Sequence, residues 1–206
     1  MLAGLLISRW TFLTLFVFVH FGCWWEFVLL VKKINSKKYL FYSLWGLLYI
    51  TLPVGLLIAL RNLPGANIKD DHWDLGKVIP LALIFSLWVN DTMAYIVGSL
   101  IGKTRMSRIS PKKTWEGTIG GVILCVIVLY FIGALMSLDF TDAISIALIA
   151  STLGTIGDLF ESKLKRMADV KDSGHIMPGH GGFLDRFDSL LFATPFVWLY
   201  VYLFMR

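Results

Sequence analysis

Six stretches of the 206-residue chain are nearly free of charge, at about residues 10–31, 39–60, 78–102, 115–137, 140–160 and 189–205. A hydrocarbon core about 30 Å thick takes about 20 apolar residues in a helix, and each stretch meets or approaches that length. The pattern predicts an all-α, polytopic membrane protein with about six transmembrane helices in one domain over residues 1–206. From Tyr39 to Leu60 no charged residue occurs, so the second stretch is the most uniform. Glu26 in the first, Asp91 in the third, and Asp142 and Asp158 in the fifth are exceptions. An ionised side chain near the bilayer centre costs at least about 2.5–3.5 kcal/mol, so these acids are expected to be paired or wet. Glu26 reads as a partner for Lys32 or Lys33 at the interface, and Asp91 as the better site candidate.

The basic residues set the orientation. The first loop carries four (Lys32, Lys33, Lys37, Lys38), the third five and the fifth five. The second loop balances Arg61, Lys69 and Lys77 with Asp70, Asp71 and Asp74, and the fourth has none. Basic loops stay in the cytoplasm, so loops one, three and five are expected there and both termini opposite. On this topology Asp91, Glu116, Asp158, Asp185 and Asp188 gather near one face, which points to a site assembled from several helices around a cytoplasm-facing polar cavity.

Composition agrees: 57% hydrophobic residues, 16% charged and a mean hydropathy of +0.72 exclude an ordinary water-soluble domain. Aromatics at 15%, including 8 Trp, suit a chain that places rings at two membrane interfaces. The net charge of +5 sits in short loops, where topology and anionic phosphate ligands explain it better than nucleic acid. Cys23 and Cys125 lie inside apolar runs and read as small hydrophobes. The first apolar run is long, aromatic and without a small-residue cleavage site, and reads as a retained span.

The candidate chemistry concentrates after the fifth stretch, in Gly157-Asp158 through Glu161-Ser162 to Lys165-Arg166, then Lys171-Asp172, then His180-Gly181-Gly182 to Asp185-Arg186 and Asp188. Carboxylates suit a magnesium ion that accompanies a nucleotide, basic side chains neutralise phosphate oxygens, and glycines let backbone amides approach them. Asp185 and Asp188 are three apart and share a face if the last helix starts near Phe183, able to share a divalent ion with Asp158. The alternative is that both are first-turn acids favoured by the helix dipole. Gly98 to Thr104 mimics a P-loop but has three residues between its glycines where four are needed. Gly117 and Gly121 read as a helix-packing notch. Lys112 and Lys113 fit ligand contact and topology equally.

The run Ser162-x-x-Lys165-Arg166, Lys171-Asp172, His180-Gly181-Gly182-x-x-Asp185-Arg186-x-Asp188 resembles the signature of the phosphatidate cytidylyltransferase family. Asn90-Asp91-Thr92-x-Ala94-Tyr95 and Ser110-Pro111-Lys112-Lys113-Thr114-x-Glu116-Gly117 are similar to that family too, giving a motif-bearing core over about residues 85–195. The resemblance implies an enzyme of the bacterial inner membrane that joins CTP to phosphatidic acid, releases pyrophosphate, depends on Mg2+ with room for a second cation, and works as a homodimer. It implies Asp158, Asp185 and Asp188 as metal carboxylates, with Ser162, Lys165 and Arg166 in the catalytic environment. Substrate contacts would come from Asp91, Lys112, Lys113, Lys171, Asp172, His180, Gly181, Gly182 and Arg186. Family members commonly carry further apolar sequence ahead of the region where this chain starts, so one or more spans are expected to be lacking. Two other readings remain open at this point: the same chemistry on another lipid phosphate, such as an isoprenoid-ether lipid, and a transporter.

Overall fold

The computed structural model describes residues 8–63, 74–136, 138–174 and 181–205, which are helical apart from loops and isolated bridge residues, Arg105 pairing with Thr114 among them. The helices are α1 (Arg9–Ile34), α2 (Tyr39–Ser43), α3 (Leu52–Arg61), α4 (Leu75–Ile101), α5 (Trp115–Leu135), α6 (Phe140–Met167) and α7 (Leu184–Phe204). Among the described residues six spans are long and apolar enough to cross a membrane, with Tyr39–Arg61 counted as one. Large apolar side chains point outward, among them Trp10 at 77%, Tyr95 at 77% and Leu135 at 79% exposed. A protein surrounded by water does not carry such a surface on every helix, whereas lipid solvates it. Phe12, Phe16, Leu83, Ile146 and Leu184 fill the interior.

Local sequence explains where the helices start and stop. Ser8 caps α1 in a reciprocal pair with Thr11, and Lys32 and Lys33 complement the dipole in its last turn. The Asn35 side chain accepts from the amides of Lys37 and Lys38, which turns the chain into α2. Asp74 caps α4 through Gly76 N at 2.8 Å, and Thr114 caps α5 through Gly117 N at 3.2 Å.

The second span departs from expectation. The most uniformly apolar stretch is the broken one: α2 ends at Ser43, and a π-helical turn over Leu47–Thr51 precedes α3. Pro53, at the start of α3, has no amide to donate to the preceding turn, and the wider turn absorbs that loss. Thr51 is held from α1 by Trp24 Nε1 at 2.9 Å and His20 Nε2 at 3.0 Å. Apolar uniformity reports burial in lipid; it does not report helical regularity.

α4 and α5 pack most extensively, and the glycines are the reason. A Cβ at Gly117 would meet Ala94 O and the Gly98 backbone, and one at Gly121 would meet Ala94 and Asn90 O. Gly98 and Gly102 themselves abut Thr114, so the P-loop-like run is packing against the start of α5. α6 and α7 approach in the same way, because a Cβ at Gly157 would meet Asp188 O and Phe192. Buried hydroxyls bond back along their own helices, as in Ser86 to Ala82 O at 2.6 Å and Thr155 to Ser151 O at 2.8 Å, leaving no polar group facing lipid there.

The fifth and sixth expected spans are longer than their apolar cores. α6 runs on to Met167, so Asp158, Glu161, Ser162, Lys165 and Arg166 are helical and not in a loop. α7 begins at Leu184 with Phe183 as its cap, as the start near Phe183 anticipated. The packing predicts that Gly117→Val and Gly121→Val each destabilise the protein by about 1–3 kcal/mol through overpacking. Gly55→Ala, where nothing lies within 4 Å of the new methyl, should be neutral or stabilising. Thermal unfolding in detergent checks all three.

Candidate active site

The middle of α4, the last turns of α6 and the start of α7 enclose a cavity of about 410 Å³, which the third loop reaches through Lys113. Asp91 enters from α4, Asp158, Glu161 and Lys165 from α6, and Asp185, Arg186 and Asp188 from α7; Trp88, Leu87 and Phe187 form apolar walls. Helical spacing explains the set. Residues 158, 161 and 165 follow the three- and four-residue steps of one helix face, and 185 and 188 do the same on α7.

Charge is matched locally. Lys165 Nζ stands 2.5 Å from Glu161 Oε2 and 2.5 Å from Asp185 Oδ1, bridging α6 to α7. Lys113, on the third loop, reaches Asp158 Oδ2 at 2.5 Å, while Ser162 Oγ donates to Asp158 Oδ1 at 3.3 Å. Asp185 Oδ2 accepts from Gly182 N at 2.8 Å and Ser173 N at 2.9 Å, with Ser173 Oγ also 2.9 Å away. Asp185 is thus both a first-turn acid and a cavity acid, so the two readings of its position are compatible. Asp188 is buried, with Oδ1 2.6 Å from Ser189 N.

Glycine geometry supports this turn. Gly181 has φ +80°, the left-handed region that L side chains rarely adopt, and a Cβ there would meet the Asp185 carboxylate. A Cβ at Gly182 would meet Ser173 Oγ and the carboxylate of Glu26.

The expected site residues therefore divide. Asp91, Asp158, Lys165, Asp185, Arg186 and Asp188 line the cavity, Lys113 and Ser162 touch Asp158, and Gly181 and Gly182 shape the turn. Arg166 is exposed and donates to Val170 O at 3.5 Å; Lys112, Lys171 and Asp172 are exposed outside the cavity lining. Glu116 accepts from the amides of Lys103 and Thr104 and orders the third loop instead of joining the other acids. His180 lies outside the described residues. Among the described residues no three Asp, Glu, His or Cys side chains are grouped closely enough to hold an ion between them.

Two carboxylates carry more than the sequence suggested. Glu161, 1% exposed, holds Lys165 in place; its signal was an acid on the α6 face shared with Asp158. Glu26, also 1% exposed, does not answer Lys32 or Lys33. Its oxygens accept from Phe183 N and Leu184 N at 2.9 Å each and from Ser173 Oγ at 2.7 Å. Hydropathy could mark Glu26 as costly, but the partners are backbone amides more than 150 residues away in sequence.

A second cavity, of about 870 Å³, lies against the other side of α6, walled by Phe27, Trp45, Tyr49, Phe160, Leu164 and Phe196 among others. It is almost wholly apolar, and the Tyr49 hydroxyl beside it is buried without a hydrogen-bond partner among the described residues.

Residues 65–204, which supply every cavity-lining acid, match the model of the cytidylyltransferase family. The chain belongs to that family. It is 36% identical over 181 residues to a phosphatidate cytidylyltransferase of Bacillus subtilis, covering 86% of this chain and 64% of that protein. A Synechocystis phosphatidate cytidylyltransferase is 37% identical over 157 residues, 74% of this chain and 53% of the relative. One from Thermotoga maritima is 43% identical over 130 residues, 59% and 48% respectively. The chain thus spans less than two-thirds of the length of each of these relatives.

Breaking a buried ion pair by removing one partner costs about 3–5 kcal/mol, because the remaining charge has no compensation. Lys165→Met should accordingly lower stability by that order, and Glu161→Gln in the same chain should restore part of the loss. Thermal unfolding of the single and double variants in detergent is the check.

Proposed function

We propose that this cytidylyltransferase-family chain makes CDP-diacylglycerol from CTP and phosphatidic acid. The observation that carries the reading is the convergence of acids and lysines from three spans and a basic loop on one cavity, with an apolar cavity on the other side of α6. A phosphate joined to two alkyl chains needs both environments. The named relatives support the same substrate pair, since each is called a phosphatidate cytidylyltransferase.

In the reaction an oxygen of the phosphatidate phosphate bonds to the α phosphorus of CTP, the bond from that phosphorus to the bridging oxygen breaks, and pyrophosphate leaves. Two polyanions must meet, so positioning and charge neutralisation dominate and no strong base is needed. Arg186, Lys113 and Lys165 offer cationic groups in or beside the cavity, and Trp88 and Phe187 limit water. Carboxylate oxygens of Asp158, Asp185 and Asp188 are the donors that a hard cation takes; the three are not grouped closely enough to hold an ion among themselves, so one or two of them would hold magnesium together with phosphate oxygens of the nucleotide. That ion would supply Lewis-acid stabilisation of phosphate oxygens. Lys113 and Lys165, which neutralise Asp158 and Asp185, would have to yield to it.

The site faces the cytoplasm of a bacterial inner membrane in this reading, and the enzyme is a homodimer. The basic loops support the orientation, and a cysteine at Ser107 in the third loop should react with an impermeant reagent only from the cytoplasmic side. An isoprenoid-ether lipid phosphate is the competing substrate, tested in the same assay.

Asp158→Asn and Asp185→Asn should each lower transfer of label from CTP to phosphatidate by about a hundredfold or more, while the protein stays folded. Asp139→Asn, at the far end of α6, serves as the control and should be near neutral. Turnover close to wild type in either site variant would remove these acids from the reaction. Leu164→Trp, which fills the apolar cavity, should raise KM for phosphatidate severalfold and leave KM for CTP unchanged.

A further inference from the structure

Glu26 stands two turns before the end of α1, outside the region matched by the family model. Its carboxylate is buried among hydrogen-bond donors: Phe183 N, Leu184 N and Ser173 Oγ. The first two amides are among those that a helix start leaves without an intrahelical partner, and the positive end of α7 favours an anion there. One helix thus caps another from across the bundle. The neighbourhood is shaped around this carboxylate, since a Cβ at Gly174 or Gly182 would strike it, and a Cβ at Gly22, one turn earlier, would strike the Phe183 ring.

Ser173 extends the contact to the cavity. Its hydroxyl lies 2.7 Å from Glu26 Oε2 and 2.9 Å from Asp185 Oδ2, yet it has one proton. Asp185 Oδ2 already accepts the amides of Ser173 and Gly182, so the hydroxyl proton is best used on Glu26. Asp185 is then held by Oδ2 in a backbone cradle, and Oδ1 is the oxygen turned to Lys165. Removing the Glu26 charge frees the 183 and 184 amides and the Ser173 hydroxyl together, and so loosens the adjoining amides of Gly182 and Ser173 that set which oxygen Asp185 presents.

We propose that Glu26 is a positioning residue for Asp185, acting through Ser173 and the amides at the start of α7. The consequence for turnover rests on the function proposed above, whereas the consequence for backbone protection does not. The experiment therefore has two arms on the full chain in detergent, using wild type, Glu26→Gln, Ser173→Ala and the double variant. Amide hydrogen exchange is followed across residues 171–188, and label transfer from CTP to phosphatidate is measured against CTP concentration.

Glu26→Gln sets an amide donor against backbone donors. Exchange at 182–185 should rise about tenfold or more while the α4–α5 pair keeps its protection. The kcat should fall about 10–100-fold, as when a group that orients a reacting residue is lost, with KM for CTP nearly unchanged. Ser173→Ala should reproduce the fall in kcat, and the double variant should be no worse than the weaker single one, because both act through one path. Unchanged exchange at 182–185, unchanged kcat, or multiplicative losses in the double variant would each overturn the proposal. A general loss of protection, α4–α5 included, would also overturn it, in favour of a purely structural Glu26. Should Glu26→Gln fail to fold, Ser173→Ala decides alone, since it spares the backbone bonds of Glu26 and removes the shared hydroxyl. If wild type transfers no label, the proposed function fails, and the exchange arm still tests the coupling.

Discussion

A carboxylate inside a membrane protein must find a positive partner, and much of the ordering of this bundle around its cavity follows from that requirement. Glu161 and Asp185 share Lys165, Asp158 takes Lys113, and Glu26 takes the amides that open α7. Apart from the Glu161–Lys165 pair within α6, each contact joins elements distant in sequence, so neutralising the acids also sets how α1, α6, α7 and the third loop sit together. Charge left unmet in low dielectric would cost several kcal/mol per ion, comparable to the whole stability of a domain. The site is therefore part of what the fold depends on.

Glycine makes these pairings reachable. Gly157 lets α7 approach α6 beside Asp158, Gly181 supplies the left-handed turn, and Gly174 and Gly182 leave room for the Glu26 carboxylate. In a soluble protein hydrophobic burial would press the helices together. Among lipid tails that force is absent, and close contact at small residues with internal hydrogen bonds replaces it.

This division decides what the sequence could reveal. Span number and the face shared by Asp158, Asp185 and Asp188 were legible, because length in lipid and helical periodicity are local properties. The family signature added Lys113 and the Gly181-Gly182 turn. The break before Pro53 was masked by an unbroken apolar run, although the proline itself marked it. Sequence proximity points Glu26 to nearby lysines, whereas its partners are two main-chain amides, which carry no side-chain signature, and the hydroxyl of distant Ser173. Arg166, Lys171 and Asp172 lie in the motif yet stand outside the cavity lining, since adjacency in a motif does not specify direction.

The two cavities follow from the phase of one helix. On α6 the polar set, Asp158, Glu161 and Lys165, and the apolar set, Phe160, Leu164 and Met167, each repeat at three- and four-residue steps. With 3.6 residues per turn their mean directions differ by about 120°. A single rigid element thus separates a charged compartment from an apolar one, and fixes the distance between them. An amphiphile that reached both would be held at two points at once, its anionic end by the lysines and its tails by the apolar wall. A water-soluble phosphate would satisfy only the first, and a neutral lipid only the second. The substrate class proposed for this chain thus has a counterpart in the spacing of α6 that is independent of any motif.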